Sequence, residues 1–217
     1  MLRKKGDFMK KFLTGLFLFF LLSLANAQQS QEYDGIKEIS VEANGAKVEV
    51  AQIKGQKTYV RVEKFDPEKC PILFFHTQDK DLTLKTNPPG GNPCENIIFI
   101  KTPKKVKVRI TAESSQITLD GLEEQAVLNI KKTNAFLNNC AGRLDINSQT
   151  SNIIAKGLFD KIKVDGENSF IEVTWLKEPK QPEVELSGKN NIIFYLPQNV
   201  KKMGVKDSKF LGNLIIQ

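Results

Sequence analysis

Three cysteines are the side chains of this chain most able to form covalent bonds. Cys70 and Cys94 flank a turn-rich segment that contains Pro88-Pro89-Gly90-Gly91, and in an oxidising compartment such a pair favours a disulfide over two unpaired thiols. Closing the loop between them would stabilise the fold by ~3 kcal/mol in the chain-entropy treatment. Cys140 falls at an apolar position of a repeat and is predicted to be a buried core thiol.

Histidine chemistry would depend on His76, which is the one histidine in the sequence. A Ser-His-Asp or Cys-His centre would have to use it, but His76 lies beside a predicted strand in ILFFHTQDKDL, and nothing nearby resembles a nucleophile motif. A metal site would need further ligands at suitable spacing, and the sequence has no C-x-x-C pair. His76 is therefore predicted to be structural, and no metal or cofactor is expected.

Acidic side chains could act in pairs, as they do in glycoside hydrolysis. The candidates are Asp120, Asp145, Asp160 and Asp165, which fall at turns or at outward positions of strands. They are spread along the chain instead of being concentrated in one segment. This distribution favours a protein that is not an enzyme, with a carbohydrate-active β-helix enzyme as the alternative.

A basic stretch offers a different kind of chemistry, the binding of anions. It consists of Lys101, Lys104, Lys105, Lys107 and Arg109, and it alternates in part with Val106, Val108 and Ile110. Alternation would place several cations on one outer strand face, where they could contact an anionic surface polymer or a lipid headgroup. The alternative is a solvated face whose charges discourage edge-to-edge strand pairing.

The N-terminal segment has the pattern of a secretory signal peptide. Five basic residues precede or adjoin an apolar run from Phe12 to Leu24, and Ala25-Asn26-Ala27 provides a small-x-small site for cleavage between Ala27 and Gln28. An uncleaved membrane anchor is the alternative, although the run is short for a span of about 20 residues. Cleavage would leave 27 basic and 24 acidic residues, a net charge of +3 instead of +7. We therefore expect export to the periplasm or cell surface, no later transmembrane segment and no nucleic-acid partner.

The remaining chain alternates apolar and polar residues with period 2, which indicates half-buried β-strands. From about Val106 the apolar positions recur every 18 residues. The predicted inward positions are Val108-x-Ile110, Ala126-x-Leu128, Leu144-x-Ile146, Ile162-x-Val164 and Val184-x-Leu186; Ile117-x-Leu119, Ala135-x-Leu137, Ile153-x-Ala155, Ile171-x-Val173 and Ile193-x-Tyr195; and Leu122, Cys140, Leu158 and Leu176. Such a repeat predicts an all-β fold, a single-stranded right-handed β-helix or β-solenoid, in which each rung covers its neighbour. A β-sandwich is the competing fold.

The chain before the repeat is less regular. Residues 28–105 are predicted to form a β-rich capping region, with a hairpin at Asn44-Gly45, that is continuous with the solenoid at 106–217. Within the repeat, Gln116, Asn134 and Asn152 recur at one rung position. They are interpreted as a stacked amide ladder at a turn and not as a ligand site.

The order of these segments resembles a known family. ISVEANGAKVEVAQIKG is followed by KDLTLKT and IIFIKTPKKVKVRITAESSQITLDGL, and then by rungs such as LNIKKTNAFLNN, LDINSQTSNIIAKG and IKVDGENSFIEV. Over about residues 36–216 this is similar to the "putative adhesin" family of exported bacterial β-solenoids, a domain of unknown function. That family usually has more glycine at the rung turns, where this chain has Lys132-Thr133-Asn134 and Gln149-Thr150-Ser151.

The resemblance implies an exported β-solenoid with a role in adhesion. Together with the residue patterns, it favours a non-catalytic protein that recognises a cell-envelope polysaccharide, lipid headgroup or protein. A self-assembling envelope scaffold is a further alternative, which uncapped terminal rungs at Leu214-Ile215-Ile216 would support.

Overall fold

The computed structural model describes residues 28–64, 73–76, 79–86, 91–178, 182–198 and 203–217. Within these ranges there are strands and turns and no helix, so the all-β prediction is confirmed. The strands form one curled, half-barrel sheet. No helix in this described part of the chain is long and apolar enough to cross a membrane. Residues 1–27 lie outside it, so the signal peptide remains a prediction.

The strands are bounded as follows. They are β1 (Gln28–Asp34), β2 (Glu38–Asn44), β3 (Lys47–Gln52), β4 (Lys57–Lys64), β5 (Leu73–His76), β6 (Asp81–Lys85), β7 (Asn96–Thr102), β8 (Lys107–Glu113), β9 (Gln116–Asp120), β10 (Gln125–Lys131), β11 (Asn134–Gln149), β12 (Asn152–Trp175), β13 (Glu183–Tyr195), β14 (Gly204–Phe210) and β15 (Asn213–Ile216).

The 18-residue spacing of the sequence is the register of the parallel ladders. Ala126 pairs with Val108 on one side and with Leu144 on the other, and Ala135 pairs with Ile117 and Ile153. We use rung for a pair of consecutive strands that contribute one strand to each of the two parallel ladders, such as β2 with β3 or β8 with β9. Each inward residue therefore lies directly over its equivalent in the neighbouring rung. The stacked Val, Ile, Leu and Ala side chains form a continuous buried core.

The order of the rungs differs from their order in the sequence. β2 pairs in parallel with both β6 and β8, and β3 pairs in parallel with both β7 and β9. The chain thus forms one rung with β2 and β3, builds β6 and β7 on one side of it, and returns to place β8 and β9 on the other. Parallel pairing consequently begins at Glu38 and is not limited to the repeat after Val106.

The predicted hairpin at Asn44-Gly45 is wrong, because β2 and β3 pair with other strands and not with each other. A type I′ hairpin turn needs a positive φ at two successive residues. Here Gly45 has a φ of 73°, while Asn44 is not among the residues with positive φ. The buried Asn44 amide instead donates to the carbonyl of Gly91 at 2.6 Å, which fixes a corner between two sides of the rung.

Antiparallel strands lie beyond the parallel ladders at the N-terminal side of the sheet. β4 pairs antiparallel with β7, β1 pairs with β4, and β5 pairs with β6. Among the described strands, β1 and β5 are the ends of the main path through the sheet. Their direction interrupts the parallel stacking at this side of the fold.

The predicted inward pair Ile193 and Tyr195 is wrong by one residue. Ile192 and Phe194 are the buried pair, at 1% and 0% exposure, and they pair with Ile171 and Val173. A register shift just before this ladder accounts for the difference. Since side chains alternate with period 2, a shift of one residue exchanges the inward and outward sets.

The third predicted column is also only partly buried. Cys140 is in the core, as predicted, but Leu158 and Leu176 are 39% and 50% exposed. A register shift between Leu137 and Cys140 alters the phase of the following rungs. Phe159 and Trp175 fill the core there, and the Trp175 indole Nε1 donates to the carbonyl of Phe159 at 3.0 Å.

A column of buried hydroxyls joins the rungs at one corner. This corner hydroxyl ladder comprises Ser115, Thr133, Ser151 and Ser169. The Ser115 N–H donates to Thr133 Oγ1 at 3.3 Å, and the Thr133 N–H donates to Ser151 Oγ at 3.2 Å. Each hydroxyl also donates to the carbonyl two residues before it. The ladder therefore satisfies backbone groups that the turn removes from the sheet.

Candidate functional site

Two outward surfaces could contact a ligand, one on each side of the corner hydroxyl ladder. The charged face comprises the outward side chains of β6, β2, β8, β10, residues 143–149 of β11, 161–167 of β12 and 183–187 of β13. The amide face comprises those of β9, residues 134–138 of β11, 152–156 and 170–174 of β12, 191–195 of β13 and β15. The strict inward–outward alternation of the strands produces both surfaces.

On the charged face, Glu38 holds two members of the predicted basic group. Lys107 Nζ lies 3.0 Å from Glu38 Oε2, and Arg109 Nε lies 3.3 Å from Glu38 Oε1. The parallel register sets this contact, because Glu38 pairs with Lys107. Partial burial alone would raise the pKa of the Glu38 carboxyl, but the hydrogen bonds and charges of the two cations outweigh it and lower the pKa. An anionic ligand would therefore have to compete with Glu38.

The other three residues of the predicted basic group do not contact Glu38 in the described part of the chain. Lys104 Nζ is 2.8 Å from Glu123 Oε1, and this hydrogen bond, with a second one from Gln52, lowers the pKa of the Glu123 carboxyl. Lys105 is exposed in the turn before β8. Lys101 is exposed on β7, which pairs with β3 and so belongs to the other parallel ladder, the one that contains β9. The structure thus distributes Lys101, Lys104, Lys105, Lys107 and Arg109 over two strands and a turn.

A groove of about 540 Å³ opens between β6, β2 and β8 on the charged face. Its lining consists of Ser40, Val41, Glu42, Thr83, Lys85, Arg109 and Thr111. Lys85 Nζ lies 2.8 Å from Glu42 Oε1, so cation and carboxylate neutralise one another there. The groove combines hydroxyl groups with paired charges, so a simple anion would have to displace an existing ion pair there.

A second groove of about 270 Å³ contains two of the four predicted acids. Asp145 accepts hydrogen bonds from Arg143 Nε at 2.8 Å and from Gln125 Nε2 at 2.6 Å. Asp165 accepts a hydrogen bond from the Ser187 hydroxyl at 2.7 Å. Both carboxylates in this groove are therefore engaged by neighbouring side chains. Asp120 ends β9 and Asp160 is exposed in the middle of β12, so neither lines this groove.

Cys94, Cys140 and His76 are not among the residues that line either groove. Cys140 is a buried free thiol, and desolvation raises its pKa to about 11. Cys94 is buried and its sulfur accepts a hydrogen bond from Asn96 Nδ2 at 3.1 Å; Cys70 lies outside the described residues, so their disulfide remains a prediction. His76 is the last residue of β5. In the described part of the chain, no three His, Cys, Asp or Glu residues are grouped to hold a metal ion.

On the amide face, the outward side chains form rows that run across the rungs. Asn134 pairs with Gln116 and Asn152, as predicted for an amide ladder, and Asn213 Nδ2 donates to Asn191 Oδ1 at 2.8 Å two rungs further on. The amide row is Gln116, Asn134, Asn152, Phe170, Asn191 and Asn213. The apolar row beside it is Thr118, Phe136, Ile154, Glu172, Ile193 and Ile215.

Sequence reasoning missed the apolar row because it concentrated on the inward residues. The signal was nevertheless present: Phe136 and Ile154 follow the two asparagines at the same offset and 18 residues apart. Both side chains are partly exposed, and Phe170 is 39% exposed. The amide face therefore combines amides with accessible apolar surface, whereas the charged face combines hydroxyls with ion pairs.

No family model and no curated protein matches the chain. A crystal structure named a "putative adhesin" from Bacteroides fragilis NCTC 9343 is similar, with a TM-score of 0.54 and 11% identity over 89% of this chain and 98% of that chain. A "putative cell adhesion protein" from Clostridium sporogenes ATCC 15579 matches at 14% identity over 88% of this chain and 100% of that chain, with a TM-score of 0.42. A "putative lipid binding protein" from Parabacteroides distasonis ATCC 8503 has 13% identity, coverage of 88% and 96%, and a TM-score of 0.28. At such low identity the likeness to the Bacteroides protein is one of fold alone.

Proposed function

We propose that this chain is an exported, non-catalytic surface-recognition protein of the bacterial cell envelope, an adhesin in the broad sense. Its N-terminal pattern supports export, and the name of the Bacteroides protein of similar fold is compatible with adhesion. Export would place the chain in the periplasm or at the cell surface, where envelope polymers and lipid headgroups are available.

We also propose that the described rungs form a single-stranded right-handed β-solenoid. Successive parallel ladders at an 18-residue register support this architecture. Right-handedness follows from the strong preference of connections between parallel strands in one sheet. A crystal structure of the protein would test the handedness directly.

The observation that carries the proposed function is the repetition of outward side chains in rows across the rungs. Repeated contacts suit a partner that is itself repetitive or extended, because each weak contact raises the effective concentration of the next. Catalysis instead depends on a single precise arrangement of reactive groups. The carboxylates of Asp145 and Asp165 are already engaged by neighbouring side chains, which also favours binding over acid–base chemistry.

The experiment that tests this function is co-sedimentation of the purified protein with envelope fractions, namely peptidoglycan sacculi and outer-membrane vesicles. Saturable binding is expected. A triple variant, Lys104→Ala with Lys105→Ala and Lys107→Ala, tests the predicted basic contact in the same assay. Unchanged binding of this variant would remove the basic group as the contact, and no binding of the unaltered protein to any fraction would refute the proposed function.

A further inference from the structure

We propose that the amide face binds an extended, uncharged polysaccharide lying across the rungs. This inference rests on the proposed function and adds the surface and the ligand class. It assigns a ligand to residues that the sequence suggested were only a structural ladder. The argument uses the chemistry of the amide row, the apolar row beside it and their charge.

The amide row can bind hydroxyl groups in both directions. Each Asn or Gln side chain carries a donor NH₂ and an acceptor oxygen, and a sugar hydroxyl likewise donates and accepts. Asn134 is exposed and Asn152 partly exposed, one directly above the other in adjacent rungs. Neighbouring strands are ~4.8 Å apart, so Gln116, Asn134 and Asn152 offer an amide on three successive strands to a chain of linked sugar rings.

The apolar row supplies the second kind of contact that a sugar ring requires. Phe136 pairs with Ile154, and both side chains are partly exposed beside the two asparagines. Phe170 continues the amide row in the next rung. Its backbone N–H donates to the carbonyl of Ser151 at 2.9 Å, just as the backbone N–H of Asn152 donates to the carbonyl of Thr133, so the two residues occupy equivalent positions. Flat or aliphatic side chains flanked by a few polar groups are typical of surfaces that bind the apolar faces of ligands.

The charge of the two rows selects against ionic ligands. Among the twelve positions of these rows, Glu172 is the one charged residue, and beyond Gln116 and Thr118 the two rows reach the Lys47–Glu49 ion pair on β3. An anion or cation placed on the rows would lose hydration without gaining a counter-charge, except near Glu172. The charged face differs in this respect, since its grooves contain Arg109, Lys85, Arg143 and Asp145. An uncharged polymer therefore suits these two rows, which carry few charges of their own.

The test compares two pairs of asparagines that are stacked in the same way on different faces. Asn134→Ala with Asn152→Ala alters the amide face, while Asn129→Ala with Asn147→Ala makes the same change on the charged face, where these two residues also pair. Binding is measured by biolayer interferometry on immobilised glucomannan, which is uncharged and extended, and on polygalacturonate, which is anionic. The amide-face variant should weaken glucomannan binding about tenfold or more, equivalent to ~1.4 kcal/mol, and the charged-face variant by less than about twofold.

Each outcome decides the proposal. Selective loss in the amide-face variant supports it, and equal loss in both variants overturns the assignment of the surface. No glucomannan binding, or binding to polygalacturonate alone, overturns the ligand class while leaving envelope recognition to the co-sedimentation assay. Should the double variant fail to fold, as judged by Trp175 fluorescence, Phe170→Ser at an exposed position of the same face gives the decisive measurement.

Discussion

Removal of one hydroxyl from the corner hydroxyl ladder should destabilise the fold far more than removal of another hydroxyl three residues away. Ser151 and Ser148 are both buried, at 6% and 1% exposure. Ser151 Oγ accepts the Thr133 N–H at 3.2 Å and donates to the Gln149 carbonyl at 2.9 Å. Among the described residues, Ser148 Oγ has no hydrogen-bond partner, and it lies in an apolar column, paired with Ile130 and Gly166. Comparing variants of the two serines therefore separates the effect of hydrogen bonding on stability from the effect of burial.

The magnitude follows from the groups left behind. Ser151→Ala leaves the buried Thr133 N–H without its acceptor, and an unsatisfied buried donor costs about 1–3 kcal/mol. We expect a loss of ~2 kcal/mol, which is a fall of ~1 M in the urea midpoint for a slope of ~2 kcal/mol/M. Ser148→Ala removes a buried hydroxyl that forms no hydrogen bond within the described part of the chain, so stability should stay the same or rise by up to ~1 kcal/mol.

The assay is urea unfolding followed by far-UV circular dichroism and by the fluorescence of Trp175, the one tryptophan, which is buried. Coincident curves from the two probes justify a two-state free energy. Equal losses in both variants would refute the reasoning, because the effect would then come from the removal of any buried serine hydroxyl and not from the ladder.

Three further changes test other features of the fold. Gly157→Ala should destabilise by at least ~3 kcal/mol in urea unfolding, because a Cβ there would lie 1.9 Å from the carbonyl oxygen of Cys140. Thr150→Asn should stabilise by ~1 kcal/mol in the same assay, because a β-branched residue is strained at its φ of 51° and asparagine tolerates that conformation. Glu38→Gln should lower stability at neutral pH but have no such effect in acid. The pKa of Glu38 is lower in the folded protein than in the unfolded chain. Its stabilising contribution is therefore present above the unfolded pKa and is lost as the pH falls through the folded pKa.

Matched changes serve as controls for the first two of these, and the third has a contradicting outcome of its own. Gly55 is exposed, and its nearest contact is a flexible side-chain atom, so Gly55→Ala should change stability little. Thr118→Asn, within β9, should destabilise because asparagine is disfavoured in strands. A Glu38→Gln protein with an unchanged profile of stability against pH would contradict the ion pairs with Lys107 and Arg109.

The regular part of the fold could be predicted because residues 18 apart in the sequence pair directly in the parallel ladders, so the repeat length equals the register. The 18-residue repeat placed Val108, Ala126, Leu144 and Ile162 in one column, as the ladders have them. The error at Ile193 arose where a register shift changes the phase, and no local residue type signals such a shift reliably. The sequence therefore predicts most of each buried column and fails at some positions that follow a register shift, such as Leu158 and Ile193.

The candidate site was less predictable, because it depends on partners that are distant in sequence. Lys107 and Arg109 form a basic pattern along the chain, yet the residue that holds both is Glu38, from a strand 69 positions earlier. That contact exists because β2 lies beside β8, an order that strand patterns alone do not determine. The amide row needed no such information, since Gln116, Asn134 and Asn152 keep the repeat spacing.

The position of β2 and β3 between two later pairs of strands has a consequence for how the protein is made. Chain synthesis produces this rung first, but both of its neighbours come later, and the second is complete only when β9 has emerged. Such distant pairings must wait for loop closure, which slows folding and exposes strand edges in the meantime. We therefore expect that the nascent chain cannot fold rung by rung from its N-terminus and stays unfolded until β9 is available.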